Sequence, residues 1–310
     1  MNTPLIYVWI GAELPFWAKD ALKLSQKLCG VETILLTNRA VENCSDVDNH
    51  LYIEDFYEFF LPTDLVKNDN FRDGFWTKTL ERFLVLRSFM RFAGLKKIFH
   101  AELDNIIFNI ADLSGRLDSV GSGLFSPRDS ESRGIASLIY INNSLCLDCF
   151  THVDLNNAGV GLNDMTFLGL QLQFSKQFFS LPTENSFDNH QNKKWKYISS
   201  EIAGGIFDAA SLGQYLFGID HRNTFFPSFN GFINENSGAH LKYLNFEVDL
   251  SAGVCEVRIQ NNNKRFNVYN IHVHSKIFEI IKNHEQLEML INRINNGKKT
   301  LVKKSFGYGL

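Results

Sequence analysis

The sequence predicts a single α/β domain with a mixed central sheet, and three observations support this fold class. The chain has 310 residues, enough for one substantial core, and its hydrophobic fraction of 45% is typical of a globular protein. An apolar run, a helical pattern and a second apolar run follow one another at the start, as in a βαβ unit. Several later segments alternate between apolar and polar residues, as strands do.

The first elements form the predicted βαβ unit. The run PLIYVWIG, residues 4–11, is typical of a buried strand that ends at a glycine, where the chain can turn sharply. A pattern with leucines near helical spacing follows and stops at Gly30. The run VETILLTNR, residues 31–39, predicts the second strand. Two strands joined in this way lie parallel, so the sheet is predicted to begin as a parallel one.

The middle and the end of the chain predict further helices and strands. The segment FWTKTLERFLVLRSFMRFAG predicts a long helix closed by Gly94. Residues 110–135 are polar and rich in glycine and serine, which predicts a loop region, and residues 183–196 predict an exposed loop. The alternation over residues 245–274 predicts several strands.

Composition narrows the classes of partner and setting. The net charge of −3 gives no sign of a nucleic-acid-binding surface, so no nucleic acid is predicted as a partner. The five scattered cysteines and the absence of a signal-peptide pattern predict a reducing, cytoplasmic setting. The pair Cys146 and Cys149 has CxxC spacing without a second pair, so zinc is not predicted. No apolar run approaches the ~18 residues that span a membrane.

Two carboxylates interrupt an apolar stretch in KKIFHAELDNIIF, residues 96–108. Burying Glu102 and Asp104 between two strands costs several kcal/mol unless they are paired or bind a cation. Mn²⁺ and Mg²⁺ prefer oxygen ligands, and carboxylates spaced i, i+2 on an extended segment point to one side. The motif therefore predicts a metal site that also bridges a diphosphate; a solvated turn is the alternative.

A second polar pattern lies near the C-terminus, in NVYNIHVHSK, residues 267–276. On an extended strand His272, His274 and Lys276 face the same way. An imidazole is a good third ligand for Mn²⁺, and a lysine ammonium suits a phosphate. We expect His274 rather than His272 to bind the metal, because His274 is closer to Lys276. The alternative is a strand with a solvated polar face.

Further candidates lie at the ends of the predicted strands and on the long helix. Thr37, Asn38 and Arg39 end the second strand, where an α/β sheet places its ligand crevice, and are predicted to contact the base or ribose. Lys78 and Arg82 share one helix face and are predicted to contact the nucleotide or diphosphate. For this pair a solvated stripe is the alternative.

Two further acids are candidates for a catalytic base. Asp208 is predicted to be the N-cap of a short helix that ends at Gly218, a role compatible with orienting a bound substrate. A general base must lie near the group that it deprotonates, and Asp164 and Asp208 are both candidates.

On these motifs the sequence resembles nucleotide-sugar glycosyltransferases of the GT-A fold over residues 4–276. The resemblance rests on IYVWIG with the nearby LPFW, on the long helix with its ExD strand, on IFDAASLGQYLFGIDHRN and on NVYNIHVHSK. It departs at Glu102, where the commonest pattern has Asp. It implies a GT-A-like domain over residues 1–276, followed by a C-terminal helix and basic tail, and donor-binding roles for Trp9 and Gly11.

The resemblance also implies a cofactor, partners and an activity. These are Mn²⁺ or Mg²⁺, a nucleotide-sugar donor, a glycan or lipid-linked glycan acceptor, and transfer to a growing bacterial surface glycan. A sugar-phosphate nucleotidyltransferase and a non-catalytic nucleotide- or glycan-binding protein are the alternatives. The basic tail, residues 297–310, is a candidate for peripheral contact with the inner face of the cell membrane, with a frayed terminus as the alternative.

Overall fold

The computed structural model describes residues 3–44, 47–57, 74–151, 163–184, 197–220, 232–233, 241, 244–249, 252–259, 263–278, 281, 286–289, 291–292 and 301–302. The α-helices are α1 (Ala18–Leu28), α2 (Phe75–Phe92), α3 (Leu113–Asp118), α4 (Asp164–Phe174), α5 (Ser200–Ala203) and α6 (Ser211–Phe217). The strands are β1 (Leu5–Trp9), β2 (Thr33–Thr37), β3 (His50–Tyr52), β4 (Ile98–Ala101), β5 (Asn105–Ile107), β6 (Leu124–Ser126), β7 (Leu138–Ile141), β8 (Phe178–Ser180), β9 (Gly205–Ile206), β10 (Phe232–Ile233), β11 (Leu244–Asp249), β12 (Val254–Ile259), β13 (Arg265–Val268), β14 (Asn270–His272) and β15 (Leu301–Val302). Two 3₁₀ helices span Ile53–Asp55 and Ser144–Thr151.

A seven-stranded sheet in the order β3-β2-β1-β4-β7-β6-β8 forms the centre of the fold. The first four strands are mutually parallel, and β7 runs antiparallel to both β4 and β6. The predicted βαβ start is therefore β1-α1-β2, and the predicted α/β fold class with a mixed central sheet is confirmed.

Helices cover both faces of this sheet because successive strand residues point to opposite sides. Leu5 and Tyr7 pack on one side with residues of α1 and α3, whereas Ile6 packs on the other side with residues of α2 and α4. The strand runs are apolar throughout, as expected of strands that are buried on both faces. Gly30 and Gly94, which follow α1 and α2, adopt left-handed φ angles of 73° and 63°, as the predicted helix stops require.

The prediction of a loop over residues 110–135 was wrong in part. This stretch contains α3 and β6, and β6 belongs to the central sheet. Leu113 and Leu117 are buried one helical turn apart, and Leu124 and Phe125 are fully buried in the strand. Both elements are so short that the surrounding polar residues hide their apolar pattern. In the predicted loop 183–196, residues 185–196 lie outside the described residues.

The strands predicted over residues 245–274 are confirmed. Three of them, β11, β12 and β13, form a four-stranded sheet with β9, and β14 pairs antiparallel with β5 in a two-stranded ribbon. Beyond residue 276, Phe278, Ile281, Leu287 and Ile291 are buried in the same core cluster as residues of α1. The domain boundary at residue 276 stays a prediction. None of the described helices is long and apolar enough to cross a membrane.

Candidate functional site

The site lies at the carboxyl edge of the parallel part of the sheet. β1 lies between β2 and β4, so the chain passes from β1 to one side through β2 and later returns on the other side through β4. In open α/β sheets the ligand crevice is found at such a switch point, outside the carboxyl ends of the strands. Glu102 follows directly after the last residue of β4, at this edge.

Glu102 and Asp104 lie in a tight turn, so the expectation of an extended segment was wrong. The N–H of Asn105 and its side-chain amide both donate to the Glu102 carbonyl, each at 3.2 Å. This turn links β4 to β5 and still brings the two carboxylates to one place, where each contributes an oxygen to the same candidate group of metal ligands. The alternative of a solvated turn does not hold for Asp104, which is buried.

The pairing of β14 with β5 brings His272 to these acids. His272 lies opposite Asn105 in the ribbon, and the N–H of Val273 donates to the Asp104 carbonyl at 2.7 Å. The Nε2 atom of His272 is consequently 3.1 Å from Asp104 Oδ2 and 3.7 Å from Glu102 Oε2. One ligand atom from each of the three residues lies within 4.8 Å of the others. Two oxygens and one imidazole nitrogen are a donor set that suits Mn²⁺ and Mg²⁺.

A backbone carbonyl sets the orientation of the His272 ring. Nδ1 of His272 lies 2.9 Å from the Ala209 carbonyl oxygen, which can only accept a hydrogen bond, so Nδ1 carries a proton. In the neutral imidazole this leaves the lone pair on Nε2, directed at the two carboxylates. Histidines that bind metals in proteins are oriented in the same way, through a hydrogen bond from the other ring nitrogen.

The Asp208 carboxylate holds the backbone of His272 in place. Its carboxylate accepts the N–H groups of Leu212 at 3.0 Å, Gly213 at 2.8 Å and His272 at 2.8 Å. The N-cap of α6 is Ala210, so the prediction of Asp208 as N-cap was wrong by two residues. The side chain nevertheless satisfies two of the N–H groups that a helix start leaves without an intrahelical partner.

Asn270 joins three segments that are far apart in the sequence. Its amide donates to Asn105 Oδ1 and to the Asp208 carbonyl, each at 2.9 Å, and its oxygen accepts the N–H of Asp208 at 3.1 Å. Asn270 is fully buried, so each of these bonds is costly to lose. This side chain thereby ties together the acid-bearing turn, the segment before α6 and the strand that carries His272.

Arg82 orients Glu102, and the alternative of a solvated helix stripe does not hold for it. Its guanidinium is buried and donates to Glu102 Oε1 at 2.8 Å and to Asp164 Oδ2 at 2.5 Å. The other Glu102 oxygen therefore remains directed at His272. Asp164 begins α4, whose N-cap Asn163 makes a reciprocal capping box with Thr166. The structure thus gives Arg82 two carboxylate partners.

Lys78 shares α2 with Arg82 and is half-buried. It lies four residues, about one helical turn, before the arginine. Its predicted contact with the nucleotide or diphosphate stays a prediction.

The chain turns after His272, so the predicted common extended face of residues 272, 274 and 276 was wrong. The N–H of His274 donates to the His272 carbonyl at 2.8 Å, and that of Lys276 donates to the Val273 carbonyl at 3.0 Å. Lys276 has a φ of 59°. The turn directs the Lys276 ammonium onto Asp104 Oδ2. The ring of His274 is centred 5.1 Å from that of His272, and the geometry places His272 rather than His274 in the ligand group.

Charges in the site shift the pKa values of its groups. Burial raises the pKa of Asp104, but the charges of His272 and Lys276 outweigh it and hold that pKa well below its ordinary value. Burial lowers the pKa of His272, and the charge of Asp104 more than compensates, giving about 9. Burial raises the pKa of Asp208 to about 6, although the three N–H groups oppose this. The pKa of Asp164 is raised by burial against the charge of Arg82.

Three of the predicted donor-binding residues lie at the carboxyl ends of β1 and β2. Trp9, at the end of β1, is half-buried and donates through Nε1 to the Glu13 carbonyl at 2.7 Å. The N–H of Gly11 donates to Asn38 Oδ1 at 2.9 Å. This bond joins the carboxyl ends of β1 and β2. The contact of these three residues with a nucleotide stays a prediction.

The other two residues at the end of β2 already have protein partners. Thr37 is fully buried and its hydroxyl lies 2.7 Å from His50 Nε2, which is a role in the sheet. Arg39 is exposed, pairs with Asp55 and lies over the Tyr52 ring at 4.8 Å. Contacts of either residue with base or ribose stay predictions.

Sequence reasoning missed several residues that build the site. Asn270 lies inside the motif that contains His272, and Asn105 directly follows the two acids. Their position next to candidate ligands is the sequence feature that could have identified them. Gly213 carries no chemical signal in the sequence, yet it lets α6 lie against β14. Glu184 is buried behind Asp208, where burial and then the Asp208 charge raise its pKa to about 8.

Comparison with known proteins finds similar solved structures, but no similar family model or curated protein. No protein-family model matches the chain. No curated protein matches it at a significant level. Mouse xyloside xylosyltransferase 1 is 9% identical with a TM-score of 0.37, over 59% of this chain and 86% of that one.

Two further solved structures are similar to this chain. An active-site mutant of LgtC is 12% identical with a TM-score of 0.36, over 64% of this chain and 84% of that one. The glycosyltransferase GlyE of Streptococcus pneumoniae is 13% identical with a TM-score of 0.34, and the match spans 58% of this chain and 45% of GlyE. These proteins are glycosyltransferases, the class that the sequence resembles. At such TM-scores no residue role or substrate transfers from them to this chain.

Proposed function

We propose that this protein is a glycosyltransferase that uses Mn²⁺ or Mg²⁺ to transfer a sugar from a nucleotide-diphosphate sugar. One observation carries the proposal: Glu102, Asp104 and His272 converge at the carboxyl edge of the sheet, although His272 is 168 residues from Asp104. No local structure brings these residues together. Their convergence requires the β14–β5 pairing, the Asn270 bonds and the carboxylate of Asp208.

The residues present fit a hard divalent cation. Asp104 and Glu102 supply carboxylate oxygens, Arg82 holds Glu102 by one oxygen, and the Ala209 carbonyl leaves His272 Nε2 for coordination. Each proposed ligand thus has a partner that orients it, as proteins provide for metal ligands. When bound, the ion supplies positive charge that stabilises the departing nucleoside diphosphate.

The chain's own residues then have separate tasks. Lys276 is assigned to an anionic oxygen of the diphosphate, because its ammonium lies at the proposed metal-binding carboxylate and 5.6 Å from the centre of the Trp17 ring. Trp9 and Gly11, at the carboxyl end of β1, are assigned to orient the nucleotide. The wall formed by Asp208, Asn270 and α6 holds His272 in place.

The structure favours positioning roles for Asp164 and Asp208. The Asp164 carboxylate is buried and paired with Arg82, and that of Asp208 accepts three backbone N–H groups. A base must reach the acceptor hydroxyl, within about 2.6–3.2 Å or through one water. Catalysis by either acid remains the prediction made from sequence, which leaves the choice between inversion and retention of the sugar open.

The acceptor is proposed from the sequence resemblance as a growing bacterial surface glycan, free or lipid-linked. Contact of the basic tail with a membrane rests on Lys298, Lys299, Lys303 and Lys304, which lie outside the described residues. Within that tail the structure describes Leu301–Val302, which pairs with β10. Cytoplasmic localisation belongs to the same proposal.

The proposal is tested by the release of nucleoside diphosphate from a panel of nucleotide sugars, with and without Mn²⁺. Asp104→Asn removes a charged ligand while keeping the side-chain shape, and it should lower turnover by about 100-fold or more, since even partners of metal ligands contribute 10–100-fold. Asp112→Asn is the matched control, because Asp112 is exposed and makes no side-chain cap bond at α3.

Three results would contradict the proposal. One is near-normal turnover by the Asp104→Asn protein with the metal chelated. Another is the formation of a nucleotide sugar from a sugar phosphate and a nucleoside triphosphate in place of sugar transfer, which would identify a nucleotidyltransferase. Binding of nucleotide sugars without any turnover would identify a non-catalytic binding protein.

A further inference from the structure

A single atom, Oδ2 of Asp104, has two nitrogen partners. It lies 3.1 Å from Nε2 of His272 and is in direct contact with the ammonium of Lys276. A divalent ion bound by Asp104 and His272 would use this same carboxylate. The ammonium and the ion would therefore compete for one negative charge.

The surroundings make this conflict strong. The Asp104 side chain is 11% exposed and that of Lys276 is 21% exposed. Water therefore only weakly screens the repulsion between the Lys276 ammonium and a divalent ion at Asp104. Arg82 adds further positive charge beside Glu102. A divalent ion entering here meets a site whose negative charge is already partly balanced by the protein.

The backbone holds Lys276 in this position. Its φ of 59° is a left-handed conformation that residues with a Cβ rarely adopt, and the bond from its N–H to the Val273 carbonyl closes the turn. Strained backbone that the surrounding structure maintains is often found at switch and ligand-binding positions. The long stem of lysine lets the ammonium move to another anion while this turn stays in place.

We propose that Lys276 is an internal cation that competes with the divalent metal for Asp104 and yields when a diphosphate binds. This inference rests on the proposed function and deepens it. The same side chain then weakens metal binding in the absence of nucleotide and strengthens donor binding in its presence. The nucleotide and the metal favour each other's binding by the same factor, because coupling between two sites is reciprocal.

The test measures Mn²⁺ affinity without nucleotide, by electron paramagnetic resonance of the free ion, on the full-length chain. Lys276→Met removes the charge and keeps an apolar stem for Trp17, and it should bind Mn²⁺ about 5- to 100-fold more tightly than the wild type, the usual range of such couplings. Lys97→Met is the matched control, because Lys97 also pairs with an aspartate, Asp118, at 2.9 Å on the surface. Lys97→Met should bind Mn²⁺ with wild-type affinity.

Two further variants keep the outcomes distinct. Lys276→Arg retains the charge and should leave the weak wild-type affinity for Mn²⁺, and Lys276→Gln replaces Lys276→Met if the latter does not melt cooperatively. Equal or weaker Mn²⁺ binding by the neutral variant would overturn the competition while leaving the metal site intact. Absence of Mn²⁺ binding in every protein, or wild-type affinity in Asp104→Asn, would overturn the metal site and the competition together.

Discussion

Gly213→Ala is expected to disable the site without touching any proposed ligand. Gly213 lies in α6, where the helix meets the backbone of β14. A Cβ added to Gly213 would lie 1.8 Å from the His272 carbonyl oxygen and 2.5 Å from the carbonyl carbon. Backbone atoms cannot move away by rotating a side chain, so the helix and the strand must separate by more than about 1 Å to reach normal contact distance.

This separation acts on the metal ligands through Asp208. Its Oδ2 accepts the N–H groups of both Gly213 and His272 at 2.8 Å, and a shift of about 1 Å breaks one of these bonds. Metal sites hold ligand distances within about 0.2 Å, so Mn²⁺ affinity should fall by about 10–100-fold. The free energy of unfolding should fall by about 1–3 kcal/mol, as for other overpacked positions.

Mn²⁺ titration and urea unfolding of the same protein measure the two effects. Gly115→Ala is the matched control: Gly115 lies in α3, and an added Cβ has no atom within 4 Å. The control should bind Mn²⁺ as the wild type does and gain up to about 1 kcal/mol, because alanine favours the helix. A folded Gly213→Ala protein with wild-type Mn²⁺ affinity would refute the role given to this contact.

Two other predictions concern buried charges. Arg82→Met leaves the acids of its ion pairs without a partner, so the free energy of unfolding measured in urea should fall by about 3–5 kcal/mol. Adding Asp164→Leu to the same chain should restore most of this loss. A loss within ~0.5 kcal/mol would show that the guanidinium is not structurally needed. Burial and the Asp208 charge raise the pKa of Glu184 from 4.5 to about 8, so the folded protein favours the protonated acid, and wild-type stability should fall between these pH values. Glu184→Gln should therefore gain stability over the wild type as pH rises from 4.5 to 8 and hold that gain above it, whereas a difference independent of pH would contradict the shifted pKa.

Predictions that depended on a common face failed where the backbone turned. Residues 272, 274 and 276 alternate in the sequence as on a strand, but β14 ends at His272 and a turn follows. The choice of His274 as the ligand relied on that strand. Chain direction after a strand end depends on hydrogen bonds to other segments, here the bond from Val273 to Asp104, and these leave no trace in the local pattern.

The burial of Arg82 could not be read from the sequence for a similar reason. A solvated helix stripe was the alternative to a nucleotide contact, but α4 covers that face and brings Asp164 against it. Whether a charged residue is buried depends on which element packs over it. Helical spacing identifies the helix face on which the residue lies, but not the element that covers that face. The short elements α3 and β6 were not predicted, because their six and three residues carry too little periodicity.

Local signals in the chain were sufficient for the βαβ start, the long helix with its glycine stop, and the two acids after β4. Each of these features depends on residues within one helical turn or one strand of each other. A local sequence pattern is therefore enough to predict it. The assembly of the site depended on contacts across 62 to 168 residues, from Asp208 and Asn105 to the strand that carries His272. The register of β14 against β5 chose His272 over His274, because a shift of strand pairing or an early turn changes which side chain meets Asp104.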